Sequence, residues 1–311
     1  VDYDGTASSL LVEPERTNVF IQNDISTWNG FSSYAGNTTA PDGTTINFVN
    51  MEDRRIFPTT TIINSTEYTS SIYLKGNKTA DVKLRNVSGN DTVITLSTEW
   101  QRFELTATSV STVTNTLLID ARFSQGMGVS GLEVAVYGGQ TEVGSYPTSY
   151  IPTDGGTVTR VQDLYSKTGI SDLIGQTEGT WFVDVDFDTL SGLNMFLSIR
   201  PDSSNKIEIY RDGSLIYGDI VSSSSFTFIK TGVTVGRYKI ALAYSSGSNA
   251  MYINGDLISN NSTSFAFTST LNDLYVNSRG GTSFIEQSKY YNIQLYKTAL
   301  SPTQLIALTT I

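Results

Sequence analysis

The sequence predicts an all-β protein built from two tandem β-sandwich jelly rolls with one short C-terminal helix. Three observations carry this prediction. Short runs of alternating apolar and polar residues recur between turn residues along most of the 311-residue chain, and helical periodicity is nearly absent. The chain holds 17 Tyr and 14 Phe but only 16% charged residues, a balance suited to half-buried pleated surfaces rather than disorder. Between Gly144 and Arg160 lie Pro147, Pro152 and the pair Gly155-Gly156, which no regular element crosses, with strand-like sequence on both sides. The expected division is a lead-in segment over 1–16, a first jelly roll over 17–145, a linker over 146–163 and a second jelly roll over 164–311.

In the first half, strands are expected at Tyr68–Lys75, Asp81–Arg85, Thr92–Leu96, Arg102–Thr106, Asn115–Ala121 and Gly131–Tyr137, with Trp100, Phe103 and Leu105 in the core. The second half has two hairpins. Lys206–Arg211 and Ser214–Tyr217 flank Asp212-Gly213, while Ala250–Ile253 and Asp256–Ile258 flank Asn254-Gly255. Both dipeptides supply the positive φ of a tight turn. Tyr291–Tyr296 reads as a strand. Ser301-Pro-Thr-Gln304 then fits a capping box with Pro at the first helical position, opening a helix to Leu308.

The formal net charge is −10 and lopsided. Residues 1–155 carry 9 Lys and Arg against 17 Asp and Glu, a net −8; residues 156–311 carry 11 against 13, a net −2. An acidic first half repels a polyanion, so nucleic acid is not an expected partner. No apolar run is long enough to span a bilayer and no signal peptide is evident, so no membrane partner is expected either. The chain starts at Val1 rather than Met, and an upstream segment is expected to have been removed or left out. With no Cys and no His, disulfides, thiol nucleophiles, Ser-His-Asp triads and His- or Cys-ligated metals are excluded. Carboxylate chemistry and a hard, oxygen-liganded ion such as calcium remain open.

Two groups of residues stand out as sites. Asp184, Asp186 and Asp188 alternate along one strand, facing away from Val183, Val185 and Phe187. Three like charges so close raise one another's pKa unless a cation or sugar hydroxyls satisfy them. The run reads as a calcium site, a pair of catalytic carboxylates or a solvated outer face, and calcium is the metal assigned to it. Trp28, Phe31 and Tyr34 cluster in a Gly-, Ser- and Asn-rich loop and are the candidate sugar-binding platform, the alternative being that they pack beneath the loop. Of the adjacent Tyr290 and Tyr291, strand geometry turns one to the core and leaves the other for a partner.

The ordered series Leu10–Asn18, Trp28, Ala40-Pro-Asp-Gly-Thr44, Tyr68–Lys75, Glu99-Trp-Gln-Arg-Phe103 and Tyr146–Thr153 resembles carbohydrate-binding-module-like jelly rolls of tailed-phage structural proteins. Gly236–Tyr244, Met251–Ile258 and the terminal strand and helix resemble a laminin-G-like, concanavalin-A-type jelly roll, with Arg237-Tyr238-Lys239 where that family usually has Trp-His. These resemblances imply a non-enzymatic virion surface protein, a tail-fibre or head-surface adhesin, whose partners are host-surface or environmental glycans and other virion proteins. By the same analogy Asp42-Gly43 and Glu13-Pro-Glu15 would donate oxygens to calcium. The alternative is a capsid decoration or head-fibre protein. A polysaccharide depolymerase is a third reading, for which the Glu-x-Asp-x-x-Glu motif of related glucanases is missing. A homo-oligomer is left open, with no heptad repeat to support a coiled coil.

Overall fold

The computed structural model describes residues 2–3, 8–222 and 225–311. Two compact units emerge. Glu15–Val161 forms one, and Val1–Pro14 together with Gln162–Ile311 forms the other, so the first jelly roll is inserted in the chain of the second.

The boundaries therefore differ from the expected ones, for two reasons. Ser8–Val12 is not a free lead-in. It pairs with the strand Ser288–Tyr296, with Leu10 opposite Tyr290, and Val12 joins the core of the second unit. A short apolar run has to be buried somewhere, and a sheet edge accepts it. The Pro-rich stretch is no simple linker either. No strand crosses it between Val143 and Val158, as the prolines dictate, yet Thr148 and Ile151 are buried and Val158–Arg160 pairs with Arg16–Asn18.

In the Glu15–Val161 unit, a four-stranded antiparallel sheet runs in the order Asp91–Leu96, Ala80–Arg85, Ile119–Asp120, Arg55–Ile56. A five-stranded sheet runs Gln101–Thr108, Glu67–Gly76, Glu133–Val143, Thr45–Asn50, Tyr34–Thr39. Period-2 alternation turns Ile72, Leu74 and Val134 of the larger sheet and Val82, Leu84 and Ile119 of the smaller into one core. The intervening residues Tyr73 and Tyr137 are thereby placed on the opposite face.

The second unit is also a β-sandwich. Glu178–Phe187 lies at the centre of a seven-stranded sheet, between Ser288–Tyr296 and Gly236–Ser245. A six-stranded sheet runs Tyr165–Lys167, Leu274–Val276, Leu193–Ile199, Lys206–Asp212, Leu215–Val221, Ser225–Lys230. Trp181, Val183, Val185 and Phe187 meet Leu197 and Ile209 in its core.

At the second predicted hairpin, Asn254 and Gly255 take φ of 52° and 88° and Ile253 pairs with Asp256, as the Asn-Gly signal requires. The first hairpin turns one residue later than expected. Asp212 pairs with Leu215, leaving Gly213-Ser214 as the turn. Arg211 sets that register, since its fully buried guanidinium donates to the carbonyls of Ser191, Gly192 and Gly213.

The helix spans Pro302–Thr309, and Gln304 Oε1 accepts from both the N–H and the hydroxyl of Ser301. Its Leu305 packs on Phe182, Ala241, Ala243 and Tyr252, a second apolar cluster on the seven-stranded sheet. No helix among the described residues is long and apolar enough to cross a membrane.

Candidate functional site

The face of the five-stranded sheet turned away from the core carries a row of large side chains. Arg102 lies opposite Tyr73 in the ladder, and Tyr73 lies opposite Tyr137. The Tyr73 and Tyr137 rings meet at 6.0 Å between centroids, and the Arg102 guanidinium stands 5.5 Å over Tyr73. Trp100 packs edge-on against Tyr137 at 6.5 Å, and Tyr150 does the same from the other side at 5.4 Å. All four rings are half-buried. Tyr137 touches each of the other three and is the keystone of the cluster.

Two devices hold the rings in place. The first is Trp100, whose indole N–H donates to the Thr39 carbonyl at 2.8 Å. Gln101–Thr108 and Tyr34–Thr39 are the two outermost strands of the sheet. In a flat sheet, four steps of about 4.8 Å would keep them roughly 19 Å apart. The sheet is therefore curled, with the aromatic row on its concave side.

The second device is a strap over 146–153. Glu142, fully buried on the same face, accepts from the Thr148 N–H at 2.9 Å and the Thr148 hydroxyl at 2.6 Å. Gln140 Oε1 accepts from the Ile151 N–H at 2.6 Å, and Arg102 Nη2 donates to the Thr148 carbonyl at 2.6 Å. These bonds tie the strap to three side chains of the sheet, which makes it a fixed cover rather than a loose loop. It covers one half of the concave face and delivers Tyr150 to the edge of the other half.

A bulge between Tyr137 and Gln140 lets the rings close up. Gly138 sits there at φ +62°, and a Cβ on it would lie 3.2 Å from Tyr73 Cδ2 and 3.4 Å from Tyr150 Cγ. Gly138→Ala is expected to destabilise this unit by about 1–2 kcal/mol, from the left-handed backbone and the crowded rings together. Calorimetric unfolding measures that loss, and unchanged unfolding would show that the rings are not packed as described.

Beside Tyr137 and Tyr150 a recess of about 190 Å3 opens, walled by Trp28, Ile46, Asn23 and Gly138. That is smaller than the roughly 300–1,000 Å3 of sites for drug-sized ligands and suits a single small ring. Outside the recess, the Asp42 carboxylate accepts from the N–H and hydroxyl of Thr44 at 2.9 and 2.6 Å. The Thr44 hydroxyl and N–H, and then the Tyr137 hydroxyl, hold the Asp42 carboxyl below the usual carboxylate range. Burial and the Asp42 charge push the Tyr137 phenol up to about 12, and burial likewise raises Tyr150. Tyr137 and Tyr150 are therefore neutral phenols at physiological pH, and Asp42 is ionised. The site offers ring faces, a carboxylate acceptor and a guanidinium donor.

The residues expected to form the platform are placed otherwise. Trp28 is a core residue: its ring is buried edge-on against Phe20 and its N–H donates to the Gln22 carbonyl at 2.8 Å. Phe31 packs against the same core and meets Tyr34 at 5.0 Å, and Tyr34 is 46% exposed. Apolar contact won over display for two of the three rings. Trp28 reaches the candidate site only as a wall of the recess. Trp100, expected in the core, is instead on the concave face with Tyr137.

The aspartate run does face away from Val183, Val185 and Phe187, but its neighbours answer its charge. Both Asp184 oxygens accept from Arg237, at 2.7 and 2.8 Å, and that guanidinium lies 3.8 Å over the Tyr291 ring. Asp184 is 4% exposed, which also rules out a solvated face at this position. Asp186 pairs across the strands with Arg237 on one side and Lys289 on the other. Burial, then the Asp188 charge, raise the Asp186 carboxyl above its ordinary range, with Lys289 and Arg237 acting the other way. Arg237 does for Asp184 what calcium was expected to do, while Asp188 is exposed. Among the described residues no group of three or more carboxylates is placed to hold a metal ion. Glu13 and Glu15 fall in different units, and Asp42 is engaged by Thr44. Of the Tyr290-Tyr291 pair, Tyr290 is in the core, its hydroxyl donating to Asn277 Oδ1 at 3.0 Å, and Tyr291 lies under Arg237.

No protein-family model matches the chain, and no curated protein matches it in sequence. Among solved structures it is similar to the CBM40 module of the Ruminococcus gnavus IT-sialidase bound to α2,3-sialyllactose, at 17% identity and a TM-score of 0.38, over 44% of this chain and 84% of that one. It is similar to the leech intramolecular trans-sialidase complexed with 2,7-anhydro-Neu5Ac, at 17% identity and a TM-score of 0.41, over 48% of this chain and 26% of that one. A third similarity is to the receptor-binding domain of botulinum neurotoxin type G, at 12% identity and a TM-score of 0.35, over 42% of this chain and 37% of that one. The all-β fold class rests on the strand pairing itself.

Proposed function

We propose that this chain is a non-enzymatic carbohydrate-binding protein whose site is the concave face of the Glu15–Val161 unit. One observation carries the reading: Tyr73, Trp100, Tyr137 and Tyr150 present four mutually braced, half-exposed rings on the side of the sheet away from the core. A ring face matches the apolar C–H face of a pyranose, while Asp42 and Arg102 supply an acceptor and a donor for its hydroxyls. Rings fixed by a strap and an indole hydrogen bond lose little freedom when a sugar binds. The shallow recess favours weak binding at a single site, which many copies on one particle would strengthen. Display on a tailed-phage virion surface, as an adhesin for host or environmental glycans, is the finer part of the proposal and is supported by the resemblance that the ordered motifs of the first half carry.

One observation favours the structural alternative, a decoration or head-fibre protein. Ile63, Val110 and Val113 are 68%, 68% and 53% exposed, and the last two border a recess of about 390 Å3 together with Phe57 and Val87. Apolar residues gathered in this way suit a protein contact.

The test is a panel of neutral oligosaccharides titrated against the protein, free and clustered on beads, with tryptophan emission as the readout. Saturable binding without cleavage of the sugar is expected, with a change in emission because Trp100 borders the site. Absence of binding to any sugar, even in clustered form, would overturn the reading in favour of the protein contact.

A further inference from the structure

The Glu15–Val161 unit holds ten Lys and Arg against fourteen Asp and Glu, so a gathering of cations in it runs against its overall charge. Such a gathering exists around the short strand Arg55–Ile56. Arg54, Arg55 and Arg122, with Asn29, Asp53 and Phe57, line a shallow recess of about 390 Å3. One carboxylate, Asp53, lines the recess, and a second, Asp120, is held by Arg122. Asp120, buried, accepts from Arg122 Nε and Nη2 at 2.9 and 2.6 Å, and Asp53 Oδ1 accepts from the Phe123 N–H at 2.8 Å. Arg54 and Arg55 are exposed, and among the described residues neither guanidinium is in an ion pair or a side-chain hydrogen bond.

The floor beneath these arginines is rigid. Asn29 and Phe57 exchange backbone hydrogen bonds at 2.9 and 3.0 Å, and the Arg54 carbonyl accepts from the Ala121 N–H at 2.8 Å. Gly30 packs so tightly here that a Cβ on it would lie 2.2 Å from the Arg55 carbonyl oxygen. The Phe57 ring lies beneath Arg55, 5.5 Å from its guanidinium. Two unpaired guanidinium forks beside an aromatic face are the donor set for a planar anion carried on a small ring.

We infer that this recess is a second ligand site, separate from the aromatic row, and that it recognises the carboxylate of an acidic sugar residue. The forks of Arg54 and Arg55 take the carboxylate, with the Phe57 ring backing Arg55. The sugar part of the assignment rests on the carbohydrate-binding reading; the anion site does not.

Titration calorimetry of the full chain with tetragalacturonate and with its methyl ester tests the inference. The acid is expected to bind and the ester to bind at least tenfold more weakly, with the acid's affinity falling as salt rises. Arg54→Gln/Arg55→Gln should lower the affinity for the acid at least tenfold while its unfolding temperature stays that of the parent. Arg54→Lys/Arg55→Lys keeps the charge but loses the fork, and should recover only part of that affinity. Acid binding without neutral-sugar binding would sink the aromatic-face reading and keep this one. Equal binding of acid and ester, or parent-like binding by Arg54→Gln/Arg55→Gln, would overturn the site. Displacement of the acid by an equal concentration of inorganic phosphate would overturn the carboxylate assignment.

Discussion

Tyr137→Ala is expected to lower affinity for neutral oligosaccharides between ten- and a hundredfold. The ring is the one member of the concave row that touches Tyr73, Trp100 and Tyr150 alike. Its loss removes a stacking surface and unbraces three others. An aromatic pair is worth about 0.5–1.5 kcal/mol beyond its buried area, and two such losses reach the roughly 1.4–2.8 kcal/mol that one to two decades of affinity require. The comparison variant is Tyr34→Ala, in the loop the sequence singles out. It removes an exposed ring that contacts Phe31 rather than the row, and affinity should change less than twofold. Calorimetric titration of both variants decides the matter: a larger loss in Tyr34→Ala would move the site to the loop.

Acid–base behaviour adds a control. The Tyr137 phenol is pushed up to about 12 and Asp42 is held below the usual carboxylate range, so both groups keep their forms from pH 6 to 9. Affinity should be flat across that window. A tyrosine whose folded pKa is raised is protonated in both states below about 10, and its titration adds nothing there. Between about 10 and about 12 the unfolded chain releases the proton that the folded chain keeps, so stability falls in that interval.

Much of this architecture was legible in the sequence, and the exceptions have physical causes. Alternation within a strand found the strands around Tyr68–Lys75, Asp81–Arg85 and Thr92–Leu96 because one face of each is apolar. The Asn254-Gly255 turn followed from the positive φ it needs, whereas the Asp212 turn slipped because the buried Arg211 is held by carbonyls that strand-local reasoning does not see. The aromatic row was hidden because its members come from three strands and a strap and meet only through register. One signal was nevertheless available. Phe103 and Leu105 face the core, so strict period-2 counting puts Trp100 on the opposite face, where Arg102 and Tyr73 also lie. The aspartates misled for the converse reason. A strand read alone shows three like charges, while the cations beside Asp184 and Asp186, Arg237 and Lys289, arrive from flanking strands 51 and 103 residues beyond Asp186.

Glu208→Gln is expected to destabilise the second unit by about 3 kcal/mol. The side chain is fully buried on the outer face of the six-stranded sheet, its neighbours Ile207 and Ile209 pointing into the core. Arg279 donates to it twice, at 2.9 and 3.0 Å, Lys206 at 2.7 Å and Ser198 at 3.2 Å. Gln keeps the shape and removes the charge, presenting an amide N–H2 to three cations, Arg279, Lys206 and, at 3.8 Å, Arg200. Breaking a buried pair from one side costs about 3–5 kcal/mol, and the low end applies because Arg279 and Lys206 remain 23% and 15% exposed and can turn toward water. For a unit of this size that is a drop of roughly 10 °C in the unfolding transition. The loop that carries Arg279, tied to itself by the Arg279–Ser283 bridge, should also exchange its amides faster, since Glu208 is the anchor that holds it on the sheet. Asp91→Asn is the matched control. It breaks a similarly short bidentate pair with Arg85, but both side chains are partly exposed, at 25% and 23%, so the loss should stay within about 1 kcal/mol. Equal losses in the two variants would mean that burial does not govern these pairs, and the anchor role of Glu208 would fall with it.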